Sequence, residues 1–199
     1  MPEGPALLPS ALSAAGRLCA APPLPLPPAR DRPGSPADPF TERQFRDALA
    51  QFATGVTVIA ARRPDGRYAG FTANSFNSVS LDPPLVVWSL NRRAESLAAC
   101  ENAERYAINV LAHDQVGLAR RFSRPHADRF EGVAFRLGVA DAPLIDGCVA
   151  WFECRHHAIH RAGDHVLFIG LVETCERRNG AGLVFHHGRY GATHRPGAE

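Results

Sequence analysis

Residues 70–90 read GFTANSFNSVSLDPPLVVWSL, and their two halves differ in kind. The second half, Leu85-Val86-Val87-Trp88, has the apolar run of a buried strand. The first half has the spacing of a strand but carries Thr72, Asn74, Ser75, Asn77, Ser78 and Ser80. Side chains of a strand alternate between faces, so a segment this rich in short donors and acceptors does not pack apolar matter on both sides. The expectation is that a polar ligand, planar or phosphorylated, lies against it.

The periodicity around this stretch is mostly two. VTVIAARR, a turn at Asp65-Gly66, and YAGFTANSF predict a hairpin. LVVWSL and RYAINVL are further strands, separated by a short helix at AESLAAC. DQVGLARRF predicts a second helix, followed by a polar connector, SRPHADRFEGV. CVAWFECRHHAIHRAGDHVLFIGLVETCERR reads as a long hairpin about the Ala-Gly-Asp turn, and LVFHHGRYG closes the pattern. Upstream, Thr41 and Gln44 form a capping box, with Phe40 and Phe45 as its hydrophobic staple. Phe45, Leu49 and Phe52 then recur at helical spacing, and the helix is expected to end near Thr54-Gly55. Many strands, few helices and turns between neighbouring strands predict a mainly antiparallel barrel with peripheral short helices. The βαβ alternation and GxGxxG of a dinucleotide-binding sheet are missing.

Residues 1–38 are dominated by Ala, Pro and Leu, as in APPLPLPPAR, and read as a flexible N-terminal extension before one domain over 39–195. An acidic residue where a basic leader region would stand, with prolines in the apolar part, argues against a signal peptide. The apolar share of 45% and charged share of 21% are those of a globular chain. A net charge of +2 with scattered arginines argues against nucleic acid, and no apolar run reaches membrane-spanning length. Five cysteines without a CxxC pair fit a reducing cytoplasm better than a disulfide framework.

Chemistry-bearing motifs are individually weak. The doublets His156-His157 and His186-His187 point to opposite strand faces and do not assemble a metal site. There is no nucleophile elbow. Asp164-His165 follows Gly163 at a turn, where His165 is either plainly exposed or set at a strand mouth to meet a ligand. Arg92 and Arg93 before Ser96 and a short helix suggest a cradle for an anion, against the plainer reading of a helix start with solvated arginines.

Taken in order, FATGVTVIAA, GFTANSFNSVSLDPPLVVWSL, RRAES, YAINVL, RRFS, DRFEGV, GDHVLFIGLV and GRYG make a sequence that resembles the flavin reductase family over about residues 40–191. The resemblance implies an FMN-binding split β-barrel, antiparallel and Greek-key-like. It implies hydride transfer from NADH or NADPH to FMN or FAD, with reduced flavin supplied to a partner flavin-dependent monooxygenase. It implies a cytoplasmic homodimer with the flavin near the subunit interface. By the same resemblance Thr72, Ala73, Asn74, Ser75, Phe76 and Ser78 form the flavin wall, and Ser89, Leu90 and Asn91 flank the ribityl chain. Arg93, Ala94 and Ser96 lie at the phosphate, Phe122 is a further wall, and His165, Gly188, Arg189 and Tyr190 line the NAD(P)H side. His165 is the residue expected to position the nicotinamide. Two other readings stay open: a non-catalytic flavin-binding protein, and an FMN-dependent reductase of another acceptor such as a corrinoid or ferric chelate.

Overall fold

The computed structural model describes residues 39–125 and 128–193; the expected N-terminal extension lies outside them. Helix α1 (Glu42–Leu49) opens the described fold. Thr41 caps it: the Gln44 N–H donates to Thr41 Oγ1 (3.1 Å) and the Thr41 N–H to Gln44 Oε1 (2.8 Å). The Phe40 and Phe45 rings meet at 5.6 Å, so capping box and staple are both present. The helix stops earlier than its spacing suggests. Thr54–Gly55 is strand β1, paired antiparallel with β11 (Leu183–His186); a β-branched residue followed by glycine favours pairing over another helical turn. No residue of α1 is buried.

Strands β2 (Thr57–Arg62) and β3 (Tyr68–Ala73) form the expected hairpin, with Gly66 at φ +83°. The polar stretch then breaks. Asn74–Phe76 is a non-strand connector, and Asn77–Leu81 is a separate strand, β4, which turns at Asp82-Pro83 into β5 (Pro84–Asn91). Helix α2 (Leu97–Asn102), β6 (Arg105–Val110) and helix α3 (Val116–Phe122) follow. A small hairpin of β7 (Phe135–Leu137) and β8 (Pro143–Ile145) precedes the long strands β9 (Ala150–Ala162) and β10 (His165–Arg177). The described chain closes with β11 and β12 (Arg189–Ala192).

Seven strands form one antiparallel sheet in the order β3-β2-β6-β9-β10-β5-β4. Its closure follows from chain length. β3 and β4 occupy opposite edges, yet only the steps from Ala73 to Asn77 join them, which span about 14 Å at most. A flat seven-stranded sheet would separate its edges by about 29 Å. The sheet therefore curls until its edges meet, without a β3–β4 ladder: a split barrel. The seam is held by Ser75, whose hydroxyl donates to the Ser89 carbonyl (3.1 Å) and accepts the Ser89 N–H (3.0 Å).

Every residue of Thr57–Ala61 is buried, because β2 packs on both faces. Ile59 and Ala61 join the barrel core with Phe71, Trp88, Tyr106, Ile108, Val166 and Phe168. Val58 and Ala60 join a second core with Leu111, Phe122, Phe130, Ile145 and Leu183, under α3 and the terminal hairpin. In the barrel core the cross-strand pair Trp88 and Phe168 stacks at 4.0 Å and 9°. Burial pushes the Cys100, Cys148 and Cys154 thiols up to about 12, so these serve as neutral packing groups.

Candidate functional site

The alternation of β5 and β10 builds a second, half-buried surface on the other side of the core. In β5, Val86, Trp88 and Leu90 are buried while Val87, Ser89 and Asn91 are half-buried. In β10, Val166 and Phe168 are buried while His165, Leu167 and Ile169 are half-buried. The register places His165 opposite Asn91, Leu167 opposite Ser89, and Ile169 opposite Val87. Directly opposed residues share a face, so these six side chains form one strip. Its upper end is polar, at Asn91, Ser89 and His165; its lower end is aliphatic, at Val87, Leu167 and Ile169. A ring system with one polar and one apolar edge matches such a strip. Val87, Leu167 and Ile169 were not singled out from the sequence, although the two-residue alternation of LVVWSLN and HVLFIG carried the signal.

At the mouth of the strip the loop after β5 is tied down locally. Asn91 Oδ1 accepts the Arg93 N–H (2.9 Å), and the Asn91 carbonyl accepts the Ala94 N–H (3.0 Å). The Arg92 N–H donates to the Asp164 carbonyl (2.9 Å), linking this loop to the β9–β10 turn. His165 Nδ1 lies 2.7 Å from Asp164 Oδ1, and this hydrogen bond holds the Asp164 carboxyl below its usual range. Bonded in that way, a neutral imidazole carries its proton on Nδ1 and leaves Nε2 as an acceptor.

The remaining expected residues divide by what their side chains already do. Asn74 and Ser78 are exposed, whereas the Thr72 hydroxyl donates to the Ala119 carbonyl of α3 (2.7 Å). The Ser75 hydroxyl both donates to and accepts from the Ser89 backbone, which closes the barrel seam and leaves one acceptor lone pair. Phe76 packs against the barrel core, its ring 5.5 Å from Phe152. Ala73 and Leu90 are core residues, and offer only backbone to a ligand. Phe122 is 1% exposed and wedged edge-on against Phe130 at 4.9 Å. A Cβ at Gly70 would stand 2.9 Å from both rings, which is why glycine occupies that position. Phe122 thus supports β3 from beneath and its ring lies inside the second core.

Ser96 is buried, makes no capping bond to α2 and accepts instead from Arg129 Nη1 (3.1 Å). Arg93 is exposed, and Ala94 packs on the barrel core. Guanidinium and hydroxyl groups, donors throughout, fit the phosphate of a flavin nucleotide. Arg129 was not singled out from the sequence, because the bond joining it to Ser96 is made across the fold. Gly188, Arg189 and Tyr190 belong to the β11–β12 hairpin, in a different sheet from His165. There the Tyr190 ring meets Phe185 at 5.3 Å and the Arg120 guanidinium at 5.9 Å.

A split barrel that presents a half-polar, half-aliphatic strip beside a half-buried guanidinium and a buried hydroxyl suits a flavin nucleotide. Residues 49–194 match the family described as Flavin reductase like domain, and the chain belongs to that family. It is 39% identical over 148 residues to the flavin reductase of Pseudomonas putida, covering 74% of this chain and 87% of that protein. It is 42% identical over 148 residues to the reductase component of the flavin-dependent trigonelline monooxygenase of Acinetobacter baylyi, covering 74% of this chain and 48% of that protein. The chain spans about half the length of some curated relatives it matches. Among solved structures, the Streptomyces globisporus C-1027 NADH:FAD oxidoreductase SgcE6, in complex with NAD and FAD fragments, superposes with a TM-score of 0.75 at 37% identity. That likeness covers 81% of this chain and 98% of the other.

Proposed function

We propose that this protein is an NAD(P)H:flavin oxidoreductase that moves a hydride from NADH or NADPH to FMN or FAD and supplies reduced flavin to a separate flavin-dependent monooxygenase. The observation that carries the proposal is the strip in which Asn91, Ser89 and His165 continue into Leu167, Val87 and Ile169. Bound flavin and nicotinamide supply the redox chemistry, and the protein binds, orients and excludes water. Leu167, Val87 and Ile169 give a dry platform for a ring, while Asn91 and Ser89 mark its polar edge. Ser96 and Arg129 hold the phosphate. His165, fixed by Asp164, offers Nε2 to the N–H of a carboxamide, which orients the nicotinamide without proton transfer. Rate comes from stacking two rings in a reactive arrangement, which recovers several kcal/mol of barrier.

A homodimer in the cytoplasm completes the proposal. On α1 and just beyond its end, Phe45, Leu49 and Phe52 are 50%, 57% and 71% exposed, an apolar stripe that a second copy would cover. Contribution of Arg189 and Tyr190 to the NAD(P)H side is part of the same reading, with the dinucleotide or the second copy bridging the two sheets.

The test is nicotinamide oxidation by purified protein with NADH or NADPH and added FMN, FAD or riboflavin. Rapid oxidation that depends on added flavin supports the proposal. Flavin binding with no oxidation by either nucleotide would reject it in favour of flavin carriage.

A further inference from the structure

Helix α2 has 6 residues, too few to stand without tertiary support, and it buries one side chain, Cys100. Ser96 at its start makes no capping bond. Two residues of β9 reach across to its far end. His156 Nε2 lies 2.9 Å from the Cys100 carbonyl, and the Arg161 guanidinium lies 3.6 Å from the Glu101 carboxylate. The Cys100 N–H in turn donates to the Ser96 carbonyl (3.0 Å), and the Ser96 hydroxyl accepts from Arg129 Nη1 (3.1 Å). One turn of helix thus joins His156 to the serine–arginine pair assigned above to the flavin phosphate.

The chemistry of His156 makes that joint sensitive to protons. A carbonyl only accepts, so Nε2 carries the hydrogen and the neutral ring leaves Nδ1 bare. Nδ1 is buried and has no hydrogen-bond partner among the described residues. The Tyr106 ring at 5.0 Å and the Phe168 ring at 5.6 Å flank the imidazole. Protonation sets an N–H and a share of positive charge on that nitrogen, with no acceptor to receive either. Burial accordingly holds the His156 pKa below 6.5, against the opposite pull of the Cys100 and Ala103 backbone. The surrounding elements do not answer the charge. Cys100 of α2, Cys154 of β9 and Tyr106 of β6 are kept neutral by burial. Glu101 faces Arg161, Glu173 of β10 faces Arg105 and Arg155, and His157 is exposed. Released from Cys100, the ring returns to the ordinary value of 6.5, so opening of α2 is coupled to uptake of a proton.

We propose that His156 is a proton-released catch on α2: near neutrality it holds Ser96 in the flavin-phosphate site, and acid lets α2 lift away and the flavin leave. The link to flavin rests on the reductase reading above. Amide hydrogen exchange of the full-length protein is compared at about pH 7.5 and about pH 5.5, with rates corrected for the intrinsic effect of pH. The same is done for His156→Gln, whose side-chain amide donates to a carbonyl but takes up no proton. Protection of residues 97–103 is expected to fall up to about tenfold in the parent, the limit for one group whose released pKa is 6.5. In the variant it is expected to hold, and Val166 and Phe168 in the barrel core keep their protection in both proteins. FMN affinity, read by flavin fluorescence over the same interval, is expected to fall about threefold more in the parent than in the variant. That comparison cancels the second ionisation of the FMN phosphate itself, at about pH 6. Equal loss of protection in α2 and the barrel core, or an α2 as acid-sensitive in His156→Gln as in the parent, overturns the catch. An α2 that opens in acid while FMN affinity falls equally in both proteins overturns its link to the flavin phosphate. If FMN binds at neither pH the reductase reading falls, and the exchange comparison still decides whether His156 holds α2.

Discussion

Gly170 sits in β10 next to the irregularity at which the β9–β10 register shifts, directly below the strip that carries His165, Leu167 and Ile169. A Cβ there would lie 2.0 Å from Tyr106 Oη, 3.1 Å from Tyr106 Cζ and 3.2 Å from Cys154 Cβ. Favourable contact needs about 3.5 Å, so the phenol must retreat by roughly 1.5 Å. It has nowhere to go: Tyr106 is 1% exposed, with the Trp88 ring at 5.4 Å and the His156 ring at 5.0 Å. Overpacking of this kind costs about 1–3 kcal/mol, against which Ala regains roughly 0.5–1 kcal/mol of glycine's entropy penalty in a strand. Gly170→Ala is therefore expected to destabilise by about 1–2 kcal/mol, lowering Tm by about 2–8 °C for a chain of this size. The Tyr106 hydroxyl is buried without a hydrogen-bond partner among the described residues, so Tyr106→Phe alone costs little. Combined with Gly170→Ala it removes the clashing atom and recovers about 1 kcal/mol. Urea unfolding of the four proteins of this cycle measures the coupling. A Gly170→Ala protein as stable as the parent, or a double variant no better than the sum of its singles, refutes the packing argument.

Three further outcomes are expected. Ser75→Ala should cost about 1 kcal/mol through two lost hydrogen bonds to Ser89, and Ser75→Thr should restore most of it; equal urea midpoints for all three proteins would show that the hydroxyl does not hold the seam. Asp164→Ala should raise the KM for NAD(P)H by about fivefold while flavin affinity holds, the effect of one hydrogen bond orienting His165; a change confined to flavin binding would displace His165 from the nicotinamide side. Burial lowers the His156 pKa from 6.5, outweighing its bond to the Cys100 carbonyl. The unfolded chain then binds more protons below pH 6.5, so stability is full above that value and falls as the pH drops through the folded-state pKa. His156→Gln should flatten the acid limb of a stability–pH curve, and an unchanged limb would contradict the assignment.

Local chemistry made several parts of this fold legible in the chain itself. Asp65-Gly66 sets a hairpin because glycine tolerates the φ of +83° found at Gly66. Thr41 and Gln44 start a helix because they satisfy each other's free groups. Alternation in LVVWSLN and HVLFIG sorts core from surface within each strand. The order of motifs also identified the family, and with it Asn91, Ser96 and His165 as residues to watch. These features depend on neighbours within a few positions, or on a pattern read whole.

What no local pattern carried is which strands meet. His165 faces Asn91 because β10 pairs with β5, and Ser96 meets Arg129 because two loops converge on the edge of β3. Thr72, Ser75 and Phe122 look alike as ligand contacts in the sequence, and the fold gives each a partner of its own, in α3, at the barrel seam and in the second core. Phe45 and Leu49 form an apolar stripe in the chain, and the packing of the described residues leaves both exposed. The sequence by itself determined the elements, the family and the kind of chemistry, because turn residues, caps and alternation act over short range. Tertiary structure alone decided which side chains remain free for a ligand, because a hydroxyl or a ring is committed by whatever distant segment closes upon it.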